Sequence, residues 1–158
     1  YRWAEQHLEP RRSAYLVHRL DRAANGLTII AHNRKTAAAF AQMFKQHRIT
    51  KHYRATVEGD MSNIELPFTI NKALDGKAAE SVILQADFNP DEQTTTVLIE
   101  INTGRKHQIR RHLSSMGHPV AGDRQYGAHD LSVNLQLSSV FLSFQCPLTN
   151  TRRSYSLD

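Results

Sequence analysis

The 158-residue sequence has a single cysteine, Cys146, which excludes an internal disulfide framework and any multi-cysteine metal site. A lone thiol fits a reducing compartment such as the cytoplasm. No apolar run approaches the roughly 18 residues that suggest a membrane-spanning helix. The longest, GLTIIA at 26–31, is strand-sized. There is no G-x-S-x-G nucleophile elbow and no phosphate-binding loop ending in G-K-[ST]. Acids are the scarcer charge, 15 against 20 Lys and Arg, and the formal net charge of +5 favours an anionic partner. Repeats, low-complexity tracts and linkers are lacking too, so a single domain over 1–158 is expected.

The positive charge is concentrated. Segment 102–112, NTGRKHQIRRH, holds four Lys or Arg, two His and no acid, while acids gather in NPDEQ and VEGD. Such clustering is the electrostatic footprint of a nucleic-acid surface.

Residues 1–13 are polar and arginine-rich, and read as a loop or an incomplete terminal element. GLTIIAH at 26–32 has the β-branched content of a strand. Asn33 is placed to cap a helix over about 34–48, in which Ala37, Phe40, Ala41 and Phe44 would line one apolar face. KHYRATVEG at 51–59 reads as the next strand. ESVILQADF and TTVLIEINT form a hairpin pair around NPDEQ. A second helix is expected from Thr103-Gly104 to about Met116, with Gly117 at its C-terminal stop. HPVAGDRQYG is loop-like, and SVFLSFQCPL and RRSYSL return to strand. Few strand–helix–strand crossovers occur, so the fold class is α+β, with a mixed, mainly antiparallel sheet packed against helices.

In the second helix Ile109, Leu113 and Met116 make a buried stripe, and His107, Arg110, Arg111 and Ser114 a polar one beside it. Arg110 there could hold a carboxylate, receive a phosphate, or simply be exposed. His107 and His112 are five apart and do not share a face as i, i+4 metal ligands would, so no metal site is expected. Cys146 before Pro147, in an apolar strand, reads as a buried, inert thiol. Asp21, set among cations in HRLDR, and Tyr53 are the best-placed candidates for catalytic groups.

Three ordered elements carry a family resemblance. HRLDRAANGLTIIA, KHYRA at 51–55 and GRKHQIRRHLSSMGHPVAGDRQYG resemble the boxes of the RluA-type RNA pseudouridine synthases: H-R-L-D with a following strand, K-x-Y-x-A, and G-R-x-H-Q-I-R-x-H-L leading to G-H-P-x-x-G-D-x-x-Y-G. The resemblance implies the pseudouridine synthase catalytic fold and isomerisation of uridine to pseudouridine in structured rRNA or tRNA, with no cofactor. It makes Asp21 the nucleophile, Tyr53 the residue lying against the target base, and Arg110 the cation that pairs with Asp21 and keeps it ionised. Arg19 would enter the RNA as the base flips out. Arg22, Lys51, Arg54, Arg105, Lys106, His107 and Arg111 would complete the RNA-binding surface.

The chain departs from that pattern in two places. Ala24-Asn25 stands where relatives commonly have Thr-Ser. Relatives also carry a segment with strands and a K-P-x-G-type loop before the first box, whereas 17 residues precede His18 here. That part is therefore expected to be missing, leaving a sheet edge exposed or covered by a partner. Two other readings compete: a catalytically silent RNA-binding or folding module on the same basic surface, and a metal-dependent hydrolase built on the histidines.

Overall fold

The computed structural model describes residues 2–7 and 9–157. In chain order the elements are α1 (Arg2–His7), β1 (Tyr15–Leu16), β2 (Asn25–Gly26), β3 (Ile30–Ala31), α2 (Arg34–Lys45) and β4 (Ile49–Glu58). There follow β5 (Phe68–Asn71), β6 (Glu80–Asn89), β7 (Thr94–Ile101), α3 (Gln108–Ser115), β8 (Leu137–Gln145) and β9 (Arg152–Ser156). Seven strands form one sheet in the order β2-β8-β4-β7-β6-β5, with β9 also paired to β8. Every pairing in it is antiparallel except β2 with β8. The class is α+β, as the scarcity of crossovers predicts.

Side-chain alternation decides which face of the sheet is covered. On β4, Ile49, Lys51, Tyr53, Ala55 and Val57 are buried, and the residues between them are half-buried or exposed. Thr95, Val97, Ile99 and Ile101 of β7 follow the same rule. The covered face carries two hydrophobic clusters. One joins Tyr53, Ala55, Val57, Ile83, Val97 and Ile99 to Ile109 and Leu113 of α3. The other joins Phe40 and Met43 of α2 to Ile49, Leu142 and Phe144. Segment 17–27 crosses between them: Val17 and Leu27 pack on the second, Leu20 and Ala24 on the first. Asp21 sits at that crossing.

The structure corrects several expectations. Segment 26–32 is not one strand, because it changes partners half-way: Asn25 and Gly26 pair with β8, Ile30 and Ala31 with β1. Gly26 causes the break. Its φ is +107°, and a Cβ there would lie 2.2 Å from the Ser139 carbonyl oxygen. Gly26→Ala is therefore expected to destabilise the fold by more than the roughly 1–3 kcal/mol of backbone strain alone, a loss that urea denaturation would measure. Helix α2 is capped by Asn33 as expected, its Oδ1 accepting the Thr36 N–H at 2.8 Å. It ends three residues early, however, and buries Thr36, Phe40 and Met43, while Ala41 is exposed. The N-terminal stretch contains a helical turn, and Glu5 accepts the Ala14 N–H at 3.0 Å. Among the described residues no helix is long and apolar enough to cross a membrane.

Candidate active site

A cavity of 780 Å³ opens on the covered face of the sheet where segment 17–24 passes over β4. Asp21 and Tyr53 line it, together with Arg19, Arg22, Lys51, Arg105, Lys106 and His107. Eight residues predicted for the site, from three stretches distant in sequence, therefore meet in one cleft. Tyr53 forms its floor by strand alternation, with Leu137 beside it. Residues 104–107 form a wall because Gln108, the first residue of α3, ties that loop down. Its Oε1 accepts the Arg105 N–H and the Thr103 hydroxyl, and its Nε2 donates to the Glu80 carbonyl and the Ser81 hydroxyl.

Two predicted RNA contacts lie elsewhere. Arg54 follows Tyr53 on β4, so it points to the opposite face of the sheet and is exposed there. Arg111 points away from the cleft and is held by Asp75, with two bonds of 2.8 and 2.9 Å. Such an exposed pair contributes little to stability.

Arg110 is not on an exposed polar stripe. It is buried at 8% exposure, and its main partner is a residue that the sequence reading did not select. Its Nε and Nη2 donate to the two carboxylate oxygens of Asp123 at 2.7 and 2.8 Å, whereas Nη1 reaches Asp21 at 3.4 Å. Asp123 in turn accepts the N–H groups of Gln125 and Tyr126, and the Tyr126 ring lies under the Arg110 guanidinium, 4.9 Å from its carbon. The Tyr126 hydroxyl is 2.9 Å from His107 Nδ1. Arg110 is thus fixed from behind by the G-D-x-x-Y loop and offers one remaining N–H edge to Asp21. The acid in that loop was visible in the sequence, but only the fold brings it to Arg110.

Burial raises the Tyr53 pKa, the Ser139 hydroxyl opposes that, and the Asp21 charge adds to it. The phenol therefore stays neutral at physiological pH. His18 is a structural histidine: its Nε2 accepts the Ile29 N–H at 2.8 Å and its ring stacks on Phe44 at 4.6 Å. Burial, with help from the Lys51 charge, lowers its pKa from 6.5 to about 4. A histidine more acidic in the folded state gives stability that is complete above its unfolded pKa and is lost as pH falls through the folded one. Up to about 3 kcal/mol is expected to disappear between pH 6.5 and 4. Thermal melts of the chain and of His18→Gln across that range would show the difference.

Other histidines also have protein partners. His112 bonds to Ser81 Oγ and the Lys72 carbonyl, and His118 to the Glu58 carbonyl. Among the described residues no three His, Cys, Asp or Glu side chains converge as metal ligands.

Residues 4–115 match the family model described as RNA pseudouridylate synthase. This chain belongs to that family. Among curated pseudouridine synthases, it is 32% identical to a "tRNA pseudouridine synthase C" of Haemophilus ducreyi, over 77% of this chain and 58% of that protein. It is 32% identical to a "Dual-specificity RNA pseudouridine synthase RluA" of Vibrio parahaemolyticus, over 88% of this chain and 63% of that protein. A "Ribosomal large subunit pseudouridine synthase D" of Zymomonas mobilis is 31% identical over 82% of this chain, which spans 44% of its length. This member of the synthase family therefore covers about half the length of the curated relatives it matches. The structure of human RNA Pseudouridylate Synthase Domain Containing 1 superposes with a TM-score of 0.77, covering 92% of this chain and 69% of that one at 24% identity. That likeness shows that the synthase catalytic fold is present.

Proposed function

We propose that this chain isomerises uridine to pseudouridine in structured ribosomal or transfer RNA. One observation carries the reading: in a member of this family, Asp21 shares a cation-lined cleft with a buried tyrosine and is reached from behind by the edge of a fixed arginine. The relatives named for transfer and ribosomal RNA support the substrate class, and an RNA-modifying role would place the protein in the cytoplasm.

Arg19, exposed at the cleft's rim, enters the RNA stack as the target base leaves it, offsetting part of the few kcal/mol that flipping costs. The extruded base lies on Tyr53, whose neutral phenol suits stacking. Arg110 positions the Asp21 side chain, which attacks the target nucleoside. The C1′–N1 bond breaks, the uracil turns, and C1′ joins C5. Nothing is oxidised or hydrolysed in net terms, so the reaction needs no cofactor. Arg22, Arg105, Lys106 and His107 line the route for phosphates, with Arg54 and Arg111 contacting more distant parts of the RNA. Affinity is expected to fall steeply with added salt.

The silent-module reading is not favoured, since binding alone would not need a carboxylate in a cationic cleft. The deciding experiment incubates the chain with transcripts of transfer and ribosomal RNA and digests them to nucleosides. Pseudouridine appearing as uridine is lost supports the proposal. RNA that is bound but unchanged would favour the silent module.

A further inference from the structure

The interior face of β4 reads Ile49, Lys51, Tyr53, Ala55, Val57. Four of these suit a core strand and Lys51 does not. It is 7% exposed, between Ile49 of one hydrophobic cluster and Tyr53 of the other. Among the described residues no hydrogen bond or ion pair holds its ammonium. Glu100, the acid that acts on it, is bonded to His52 at 3.1 Å on the other face of the sheet. Its neighbour His18, an imidazole, supplies no counter-charge in either protonation state. Burial accordingly pushes the Lys51 pKa below its ordinary value, with Glu100 opposing. A buried and unpaired cation destabilises a fold, and such groups cluster at functional sites.

Lys51 opens on the same cavity as Asp21 and Tyr53. It stands two residues from Tyr53 on one strand face, a separation of about 6.8 Å along the strand. That places it beyond the base-stacking ring and under cover of the nucleophile segment. Phosphates are reached from the rim, where Arg19, Arg22 and Lys106 are exposed. The floor is where a flipped base goes.

Resting on the synthase reading above, we propose that the Lys51 ammonium binds the carbonyl edge of the flipped uracil and stabilises the negative charge the base acquires during isomerisation. In the route where Asp21 takes C1′, a carboxylate oxygen bonds C1′ as N1 departs with the bonding pair. The base is then an anion, its charge shared by N1 and the carbonyl oxygens. C5 of that anion next attacks C1′ and displaces the carboxylate. The C5 proton is lost, N1 gains one, and the balance is an isomerisation. A fixed ammonium helps the charged stage more than the neutral start, which is the condition for lowering a barrier.

The test compares the parent chain with Lys51→Met and Lys51→Arg, on transfer and ribosomal RNA transcripts carrying tritium at uridine C5. Methionine keeps length and removes the unpaired charge, so its melting temperature is expected to equal or exceed the parent's. Its single-turnover tritium release is expected to fall about 10²–10³-fold, with RNA affinity and its salt dependence unchanged and part of the rate recovered by arginine. Transcripts made with 5-fluorouridine supply a base that is a more stable anion. On them the methionine variant's deficit in C1′–N1 cleavage, read as loss of 5-fluorouridine from digests, is expected to shrink by about tenfold. A methionine variant that turns over bound RNA normally, but binds more weakly with a shallower salt slope, would make Lys51 a phosphate contact and overturn the proposal. An equal deficit on both RNAs would overturn it as well. If the parent itself releases no tritium from any of these RNAs, the synthase reading falls and Lys51's role with it.

Discussion

Asp21→Asn is expected to remove isomerisation while leaving RNA binding and the fold in place. The loss should be at least about 10⁴-fold, the scale seen when a covalent nucleophile is replaced. The fold should survive because Arg110 is held by Asp123, at 2.7 and 2.8 Å, and does not rely on the 3.4 Å contact to Asp21. The Asp21 side chain is also 24% exposed, and its buried partner Arg110 keeps both bonds to Asp123. A change in stability within about 0.5 kcal/mol is expected. RNA affinity should hold or rise, since the substitution removes a negative charge from a cationic cleft. Filter binding and single-turnover kinetics on the same preparation separate the two effects. Full turnover by this variant would take Asp21 out of the mechanism.

Asp123→Asn has the largest expected effect on stability. The carboxylate is completely buried and neutralises an arginine that is itself 8% exposed. Asparagine keeps the shape but leaves the buried guanidinium only the 3.4 Å contact to Asp21 as a charged partner. Breaking a buried pair in this way costs about 3–5 kcal/mol, which for a chain of this size lowers the melting temperature by roughly 6–20 °C. Catalysis should suffer too, because Arg110 then has no fixed orientation behind Asp21; misplacement on the scale of 1 Å can cost about 10²-fold. The pH dependence identifies the cause. Burial works against ionised Asp123, but the hydrogen bonds and charge of Arg110 and the N–H groups of Gln125 and Tyr126 outweigh it, so its pKa lies below the ordinary value. Such a carboxylate gives stability that is complete above its unfolded pKa near 4 and fades as pH falls through the lower folded value. Acid unfolding of the parent should include that component, and Asp123→Asn should lack it. Equal acid sensitivity of the two proteins would mean that the pair does not hold Arg110.

Local signals in the sequence were reliable where local physics decides the outcome. Asn33 caps α2, the strands around NPDEQ pair as β6 and β7, and α3 ends just before Gly117. Alternation along β4 was present in the sequence but went unused: Lys51, Tyr53 and Arg54 were expected on one surface, whereas a strand that buries Tyr53 turns Arg54 to the other face. Lys51 carries the same signal, as the one cation in an otherwise apolar period. Tertiary pairing is what the sequence hid. Arg110, Gln108 and His112 look like parts of a polar helix surface, yet all are buried, because α3 lies in a crevice between the G-D-x-x-Y loop and the sheet. Nothing local shows that Asp123 waits there, that the Glu80 and Lys72 carbonyls will accept from Gln108 and His112, or that the Ser81 hydroxyl will link those two side chains. GLTIIA failed for a similar reason: its β-branched content is right for a strand, but Gly26 must turn against the Ser139 backbone.

The most direct test of the synthase reading is tritium release from RNA labelled at uridine C5, run with the chain and with Asp21→Asn in parallel. Bond formation between C1′ and C5 expels that hydrogen, so release reports the isomerisation itself and not binding. Release by the parent and none by the variant is the expected result. Release by both would contradict the role given to Asp21, and binding without release by the parent would contradict the function itself.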